Sequence, residues 1–177
     1  MIKTKLNRGY SLHNKSGLIK ALSVLSILVL VSIIFYSSLS SGHESNTASE
    51  TVTLLIVNAV SGILNLPPVK PNSELFDIIH AIVRKLAHFM EYFILCSLIY
   101  YACRKFSISA KKAKLISLIS IFVLACIDET IQFFVPGRDG RVTDVIIDMS
   151  GALFALVIIK FLDIMAFRKS IENLNHR

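Results

Sequence analysis

A short stretch of the chain carries eight ionisable or strongly polar side chains between two apolar runs. The stretch covers residues 125–151, and its polar residues are Asp128, Glu129, Gln132, Arg138, Asp139, Arg141, Asp144 and Asp148. An ionisable group costs at least ~2.5–3.5 kcal/mol at the centre of an inserted helix, so such groups are rare there. The stretch therefore forms either a polar site at a membrane face or a structural network of mutually neutralising charges.

A second polar cluster lies upstream and shares the same kind of spacing. It consists of Arg84, Lys85, His88 and Glu91. Positions 84, 88 and 91 are spaced i, i+4, i+7, as are positions 144, 148 and 151, and positions 128 and 132 are four apart. Residues at these spacings share one face of a helix. We expect the faces to meet roughly 4–11 Å below the outer membrane surface, since facing lipid would leave the polar groups unsatisfied.

Two kinds of chemistry fit these residue types. Arginine and lysine at the rim could capture a phosphate or carboxylate, and we assign anion or ligand contact to Arg84, Lys85, Gln132, Arg138, Arg141 and Asp148. Crowded carboxylates beside a histidine could move a proton, and we assign this catalytic role to His88, Glu91, Asp128, Glu129 and Asp144. The alternative is an interhelical network of ion pairs that only stabilises the bundle.

A metal site is a weaker interpretation of the same residues. His88 and Glu91 with two aspartates provide nitrogen and oxygen ligands, but H-x-x-E is not the H-E-x-x-H zinc motif. We therefore predict no metal and leave the cofactor unknown. The three cysteines lie in apolar runs without a C-x-x-C pair, which indicates buried free thiols.

The composition is typical of a membrane protein. The 177 residues are 54% hydrophobic with a mean hydropathy of +0.64, outside the usual range for soluble domains. A net charge of +7 could suggest nucleic acid, but the basic residues stand beside apolar runs and are better explained as topology signals. We predict no nucleic-acid partner, an all-α fold and a lipid bilayer environment.

The apolar runs divide the chain into elements. Four predicted spans cover residues 21–39, 86–103, 115–134 and 142–167. Residues 40–49 are predicted to be a polar loop, and 51–66 an interfacial or re-entrant helix followed by a proline-rich break. A helix capped by Ser73 should lead into the second span. A cleaved signal peptide is the alternative for the first run, whose length favours a retained helix.

These elements give one domain with two terminal segments. Residues 1–20 form a basic N-terminus, 21–167 a single helical bundle, and 168–177 a polar tail. Fourteen of the nineteen Lys and Arg residues fall in the termini and in the loop between spans two and three. The positive-inside rule places both termini in the cytoplasm and the polar clusters at the outer face.

Three sequence blocks resemble the VanZ-like family of bacterial membrane proteins. They are RKLAHFMEY from Arg84, DETIQFFVPGR from Asp128 and DVIIDMSG from Asp144, within a motif core of about 76–159. Many members carry asparagine where Asp148 stands and glycine where Ala155 stands. The resemblance implies a multi-pass protein of the bacterial plasma membrane and cell envelope, associated with susceptibility to glycopeptide antibiotics, teicoplanin above all.

Three functions stay open at this point. The first is an outward polar cleft that binds or processes an anionic lipid or a lipid-linked peptidoglycan precursor. The second is a non-enzymatic scaffold for envelope assembly, and the third a small transporter, which would need oligomerisation because four spans are few.

Small residues at positions 151 and 155 predict close helix packing.

Overall fold

A computed structural model describes residues 2–175 apart from residues 66, 68 and 72, with side chains described from residue 16 to residue 174. Over these residues the chain forms five helices and no strand. The helices are α1 (Ile2–Leu39), α2 (Gly42–Leu64), α3 (Glu74–Lys105), α4 (Ala110–Phe134) and α5 (Val142–Asn175). The basic residues predicted before position 16 lie outside the described side chains, as does Arg177 at the end.

Helices α1, α3, α4 and α5 form a bundle whose axes alternate in direction. The end of α1 lies beside the end of α4, where Ser38 contacts Asp128, and Lys20 in the middle of α1 lies over the ring of Phe106, just past the end of α3. Helices α3 and α5 run in the same direction, because His88 faces Asp148 while Phe93, further along α3, packs against Phe154, further along α5. The bundle therefore has α1 and α4 pointing one way and α3 and α5 the other.

The core of the bundle is built from apolar faces of α3, α4 and α5 with a contribution from α1. Its fully buried members include Tyr92, Leu95, Cys96, Ile121, Ala125, Ala152 and Ala155. Many apolar side chains on the outer faces of the same helices are exposed, among them Leu28, Phe122 and Val157. Helices that are apolar all round are typical of a bundle surrounded by lipid.

The close approach of α3 and α5 depends on Gly151. A methyl group added at this glycine would collide with the backbone carbonyl oxygen of Phe89. Ala155, one turn further along, is fully buried. The prediction that these two small residues allow close helix packing agrees with this contact.

Two serines set the starts of α2 and α3. Ser73 accepts a hydrogen bond from the backbone N–H of Phe76, which confirms the predicted N-cap. Ser41 and Glu44 form a capping box, so α2 begins at Gly42. The prediction of a polar loop over residues 40–49 was wrong, because this S-x-x-E motif stabilises a helix start within the polar segment.

Helix α2 continues in the direction of α1 and does not turn back along it. Asn46 bonds to Arg84 and Ser49 to His80, so α2 runs antiparallel to the first part of α3. From His88 to Glu74, α3 extends ~21 Å, whereas α5 extends only ~9 Å from Asp148 to Val142. We call residues 42–64 and 74–83, which project past the other helix ends, the α2–α3 arm.

All five described helices have the length and apolar composition needed to cross a membrane. For α1 this portion is Ser16–Leu39, and for α2 it is the whole helix. Helix α2 packs on the projecting part of α3 and on the loop after α4, and the predicted interfacial position of this segment stays a prediction. The predicted second span is part of the longer continuous α3, and α4 and α5 extend beyond the predicted bounds at 115 and 167.

Candidate functional site

The polar residues of four helices meet at the end of the bundle where the α2–α3 arm begins. The end of α1 supplies Ser38, the middle of α3 supplies His88, the end of α4 supplies Asp128, and the start of α5 supplies Asp148. The loop between α4 and α5, residues 135–141, covers this end. The site is therefore assembled from every helix of the bundle.

The centre of the site is a cluster of one imidazole and two carboxylates. One ligand atom from each of His88, Asp128 and Asp148 lies within 4.8 Å of the other two. Nδ1 of His88 is 3.7 Å from Oδ1 of Asp148, which is too long for a hydrogen bond. Both aspartates are fully buried, and the histidine side chain is 21% exposed.

Asp128 is held by two side-chain donors. The hydroxyl of Ser38 donates to Oδ1, and the amide nitrogen of Gln132 donates to Oδ2 at 3.1 Å. Gln132 lies one turn further along α4, as the four-residue spacing predicted. Hydrogen bonds to an ionised carboxylate stabilise a protein by ~1.5–3 kcal/mol each, so this carboxylate is fixed in position.

Asp148 differs because neither of its oxygens has a hydrogen-bond partner among the described residues. Nδ1 of His88 and the hydroxyl of Tyr92 are also buried without a partner in this part of the structure. Buried polar atoms are usually bonded, and each exception in a folded protein needs an explanation. The described residues therefore leave several buried hydrogen-bonding atoms of this site without a partner.

Glu129 is adjacent to Asp128 but faces the covering loop. Its Oε2 accepts a hydrogen bond of 2.7 Å from the backbone N–H of Arg141. Gly140 lies so close that an added methyl group would collide with the backbone carbonyl of Glu129. This carboxylate therefore positions the loop that carries two of the predicted anion contacts.

Arg138 joins the loop to α1 and α2. Its guanidinium donates to the backbone carbonyl of Ser37 at 2.8 Å and to the hydroxyl of Ser45 at 2.6 Å. Partial burial, and then the positive charge of Arg84, lower the pKa of Arg138 from its ordinary value. Because an arginine keeps its charge in proteins, the two guanidinium groups create a positive potential that an anion would relieve.

Two connected cavities open at this end of the molecule. The smaller, about 200 Å³, is lined by residues including Arg84, Lys85, His88, Arg138, Arg141 and Asp144. The larger, about 540 Å³, lies between the end of α1, the middle of α3 and the first half of α2, and its lining includes Ile34, Val52, Val83, Glu91 and Asp128. Arg84, His88, Gln132 and Arg138 line both.

Nine of the eleven predicted site residues line one or both cavities. They are Arg84, Lys85, His88, Glu91, Asp128, Gln132, Arg138, Arg141 and Asp144. The other two residues line neither cavity. Asp148, predicted to contact ligand, faces Nδ1 of His88, and Glu129 accepts a hydrogen bond from the backbone of Arg141 in the loop. The structure thus gathers the predicted residues, while their roles stay predictions.

Sequence analysis missed two residues of the cluster. Ser38 lies at the end of the first predicted span, and its contact with Asp128 joins positions ninety residues apart. Tyr92 lies four residues after His88, so the helical spacing used for Glu91 would also have placed it beside the histidine stripe.

The helices and the site together define a helical membrane protein with a polar site at one end of the bundle. The VanZ/LLP1 family model matches residues 23–163, which is well over half of the chain. The chain belongs to the VanZ/LLP1 family, and the predicted resemblance is confirmed. No curated protein and no solved structure matches the chain.

Proposed function

We propose that the protein binds an anionic, lipid-linked molecule of the bacterial cell envelope at the outer face of the plasma membrane. The observation that carries this proposal is the lining of the smaller cavity, which has four Lys or Arg residues and two Asp residues. A volume of about 200 Å³ suits a phosphate or diphosphate headgroup. Arginine recognises such groups through a bidentate pair of N–H donors.

The larger cavity would hold the part of the ligand next to the headgroup. Its volume of about 540 Å³ lies within the range of small-molecule sites, and its lining mixes apolar and hydroxyl-bearing residues. A sugar or the first units of a lipid chain would match this lining. His88 lines both cavities, so its imidazole would contact a ligand that fills them.

Copurification with the ligand tests the proposal. The protein would be extracted in mild detergent, and lipids bound to it would be identified by native mass spectrometry. We expect one polyprenyl phosphate or diphosphate per chain, and at least a tenfold lower occupancy in the double variant Arg84→Gln and Arg138→Gln. The control is Arg168→Gln, an exposed arginine near the other end of α5.

Binding can also be measured directly with added ligand. Polyprenyl phosphate in nanodiscs should bind the wild type and Arg168→Gln equally, and the double variant at least tenfold more weakly. Equal binding by all three proteins, or retention of neutral lipids only, would contradict the proposal. Circular dichroism and gel filtration would verify that the double variant is folded.

A scaffold function is the second candidate, favoured by the buried contacts of Asp128 with α1 and α4. If the polar network serves only the fold, Asp128→Asn should lower the midpoint of thermal unfolding in detergent, whereas Lys85→Gln, at an exposed lysine that lines the smaller cavity, should lower neither stability nor cellular function. Loss of function in a stably folded Lys85→Gln protein would exclude this candidate.

A further inference from the structure

We propose that His88, Asp128 and Asp148 bind one divalent transition-metal ion, Zn²⁺ or Mn²⁺, at the base of the two cavities. The ion would be the protein's own cofactor at the site described above. Its role toward a phosphate ligand rests on the proposed function, whereas binding of the ion itself does not.

The first support is geometry. The three candidate ligand atoms lie within 4.8 Å of one another, and Nδ1 of His88 is 3.7 Å from Oδ1 of Asp148. Ligand atoms held ~2.1 Å from one ion are roughly 3.0–3.4 Å apart at coordination angles of 90–109°. The His88–Asp148 pair is ~0.3 Å wider than this and the other pairs at most ~1.4 Å wider, so the ion would draw the three side chains slightly together.

The second support is the unpartnered state of Asp148. This aspartate is 0% exposed, and neither oxygen has a hydrogen-bond partner among the described residues. Nδ1 of His88, which faces it, has none either. A carboxylate buried without a partner is costly when ionised, so it either takes up a proton or binds a cation, and a metal ion shared with the imidazole would satisfy both groups.

The third support is the surroundings of Asp128. A carboxylate that ligates a metal is commonly fixed by hydrogen bonds from neighbouring groups, which set its orientation. Ser38 and Gln132 provide such bonds to the two oxygens of Asp128. A carboxylate oxygen keeps further lone pairs after accepting one hydrogen bond, so these contacts leave room for an ion.

The ligand types select the metal. One imidazole with two carboxylates is a mixed nitrogen and oxygen set, which suits Zn²⁺ or Mn²⁺ better than Mg²⁺. Three protein ligands leave at least one coordination position for water or for a phosphate oxygen. Because His88 and Asp128 line the larger cavity, that position is accessible to a molecule in it.

Metal analysis of the purified protein tests the proposal. The protein in detergent would be stripped with a chelator, incubated with ZnCl₂ or MnCl₂, passed over a desalting column and analysed by plasma mass spectrometry. We expect about one ion per chain for the wild type. The variants Asp148→Asn and His88→Gln should bind at least ~100-fold more weakly by isothermal titration calorimetry, since each removes a direct ligand.

The matched control is Asp163→Asn, which removes an exposed carboxylate of α5 far from the cluster and should bind like the wild type. Unfolding temperature gives a second readout: the ion should raise it for the wild type and Asp163→Asn but not for Asp148→Asn. Substoichiometric binding, or equal affinity in Asp148→Asn and the wild type, would overturn the proposal.

Binding of polyprenyl phosphate by the stripped protein separates this inference from the proposed function. If the stripped protein still binds the lipid while no ion is retained under any condition, the metal site is wrong and the anion site stands. If the ion binds at one per chain and no lipid does, the metal site stands and the anion site is wrong.

Discussion

At the scale of single residues, Asp128 has the most specific surroundings in the site. It is fully buried near the end of α4 and accepts hydrogen bonds from Ser38 of α1 and Gln132 of its own helix. A charged group in such a position depends on its partners, because removing one leaves part of its charge unsatisfied. The bond from Ser38 is the one that also joins two helices.

Replacing Ser38 by alanine should therefore destabilise the protein. We expect Ser38→Ala to lower the free energy of unfolding by ~1–3 kcal/mol, measured by SDS titration in mixed micelles. The control is Ser32→Ala, because Ser32 lies on the same helix and donates only to the backbone carbonyl of Leu28. A Ser38→Ala protein as stable as this control would show that the hydroxyl does not support Asp128.

At the scale of helices, the contact between α3 and α5 determines whether the cluster can form. His88 and Asp148 come from these two helices, and Gly151 lets α5 touch the backbone of Phe89, the residue next to the histidine. The aromatic contacts of Phe89 and Phe93 with Phe154 continue the interface along both helices. If the two helices moved apart at Gly151, the distance between His88 and Asp148 would therefore increase.

The variant Gly151→Ala tests this dependence. Its methyl group would push the helices apart, and we expect a loss of ~1–3 kcal/mol in the free energy of unfolding together with weaker metal binding. Gly62→Ala is the matched control, since nothing lies within 4 Å of a methyl group there and alanine favours a helix by up to ~1 kcal/mol. If Gly151→Ala is as stable as the wild type, α3 and α5 can accommodate the added methyl group without loss of packing, and this expectation is wrong.

At the scale of the whole molecule, the helix directions limit how the chain can sit in a membrane. Helices α1 and α4 point one way and α3 and α5 the other, while α2 continues in the direction of α1. A chain whose consecutive helices all crossed the membrane would have to reverse between α1 and α2. The contacts of Asn46 with Arg84 and Ser49 with His80 instead place α2 on the projecting part of α3.

Labelling of single introduced cysteines on either side of α3 tests whether this helix crosses the membrane in the predicted orientation. We expect Lys70→Cys, between α2 and α3, to react with a membrane-impermeant maleimide in intact cells. Lys112→Cys, at the start of α4, should react only after permeabilisation, because the positive-inside rule places this basic end in the cytoplasm.

The unmodified protein gives the background for this experiment, since Cys96 and Cys103 are buried and Cys126 is partly buried. Labelling of both introduced cysteines from the same side would show that α3 does not cross the membrane. Labelling of Lys112→Cys alone in intact cells would contradict the predicted orientation of α3.

Much of the fold could be predicted because local patterns determine it. The apolar runs predicted four helices of the bundle, and Ser73 marked the start of α3. The start of α2 was missed although its capping box is visible in the sequence as Ser41 and Glu44. The prediction gave more weight to the polar composition of residues 40–49 than to this motif. The structure shows that the capping box starts a helix there.

The sequence alone determined the membrane class of this protein, the family and the residue types that line its polar site, because hydropathy and spacing along a helix are local properties of the chain. Only the tertiary structure decided which of these groups meet. That Ser38 supports Asp128, that Asp148 stands unbonded opposite His88 and that Glu129 faces the loop all depend on how helices far apart in sequence rotate and pack. Side-chain packing between helices sets those rotations, and no spacing within one helix encodes them.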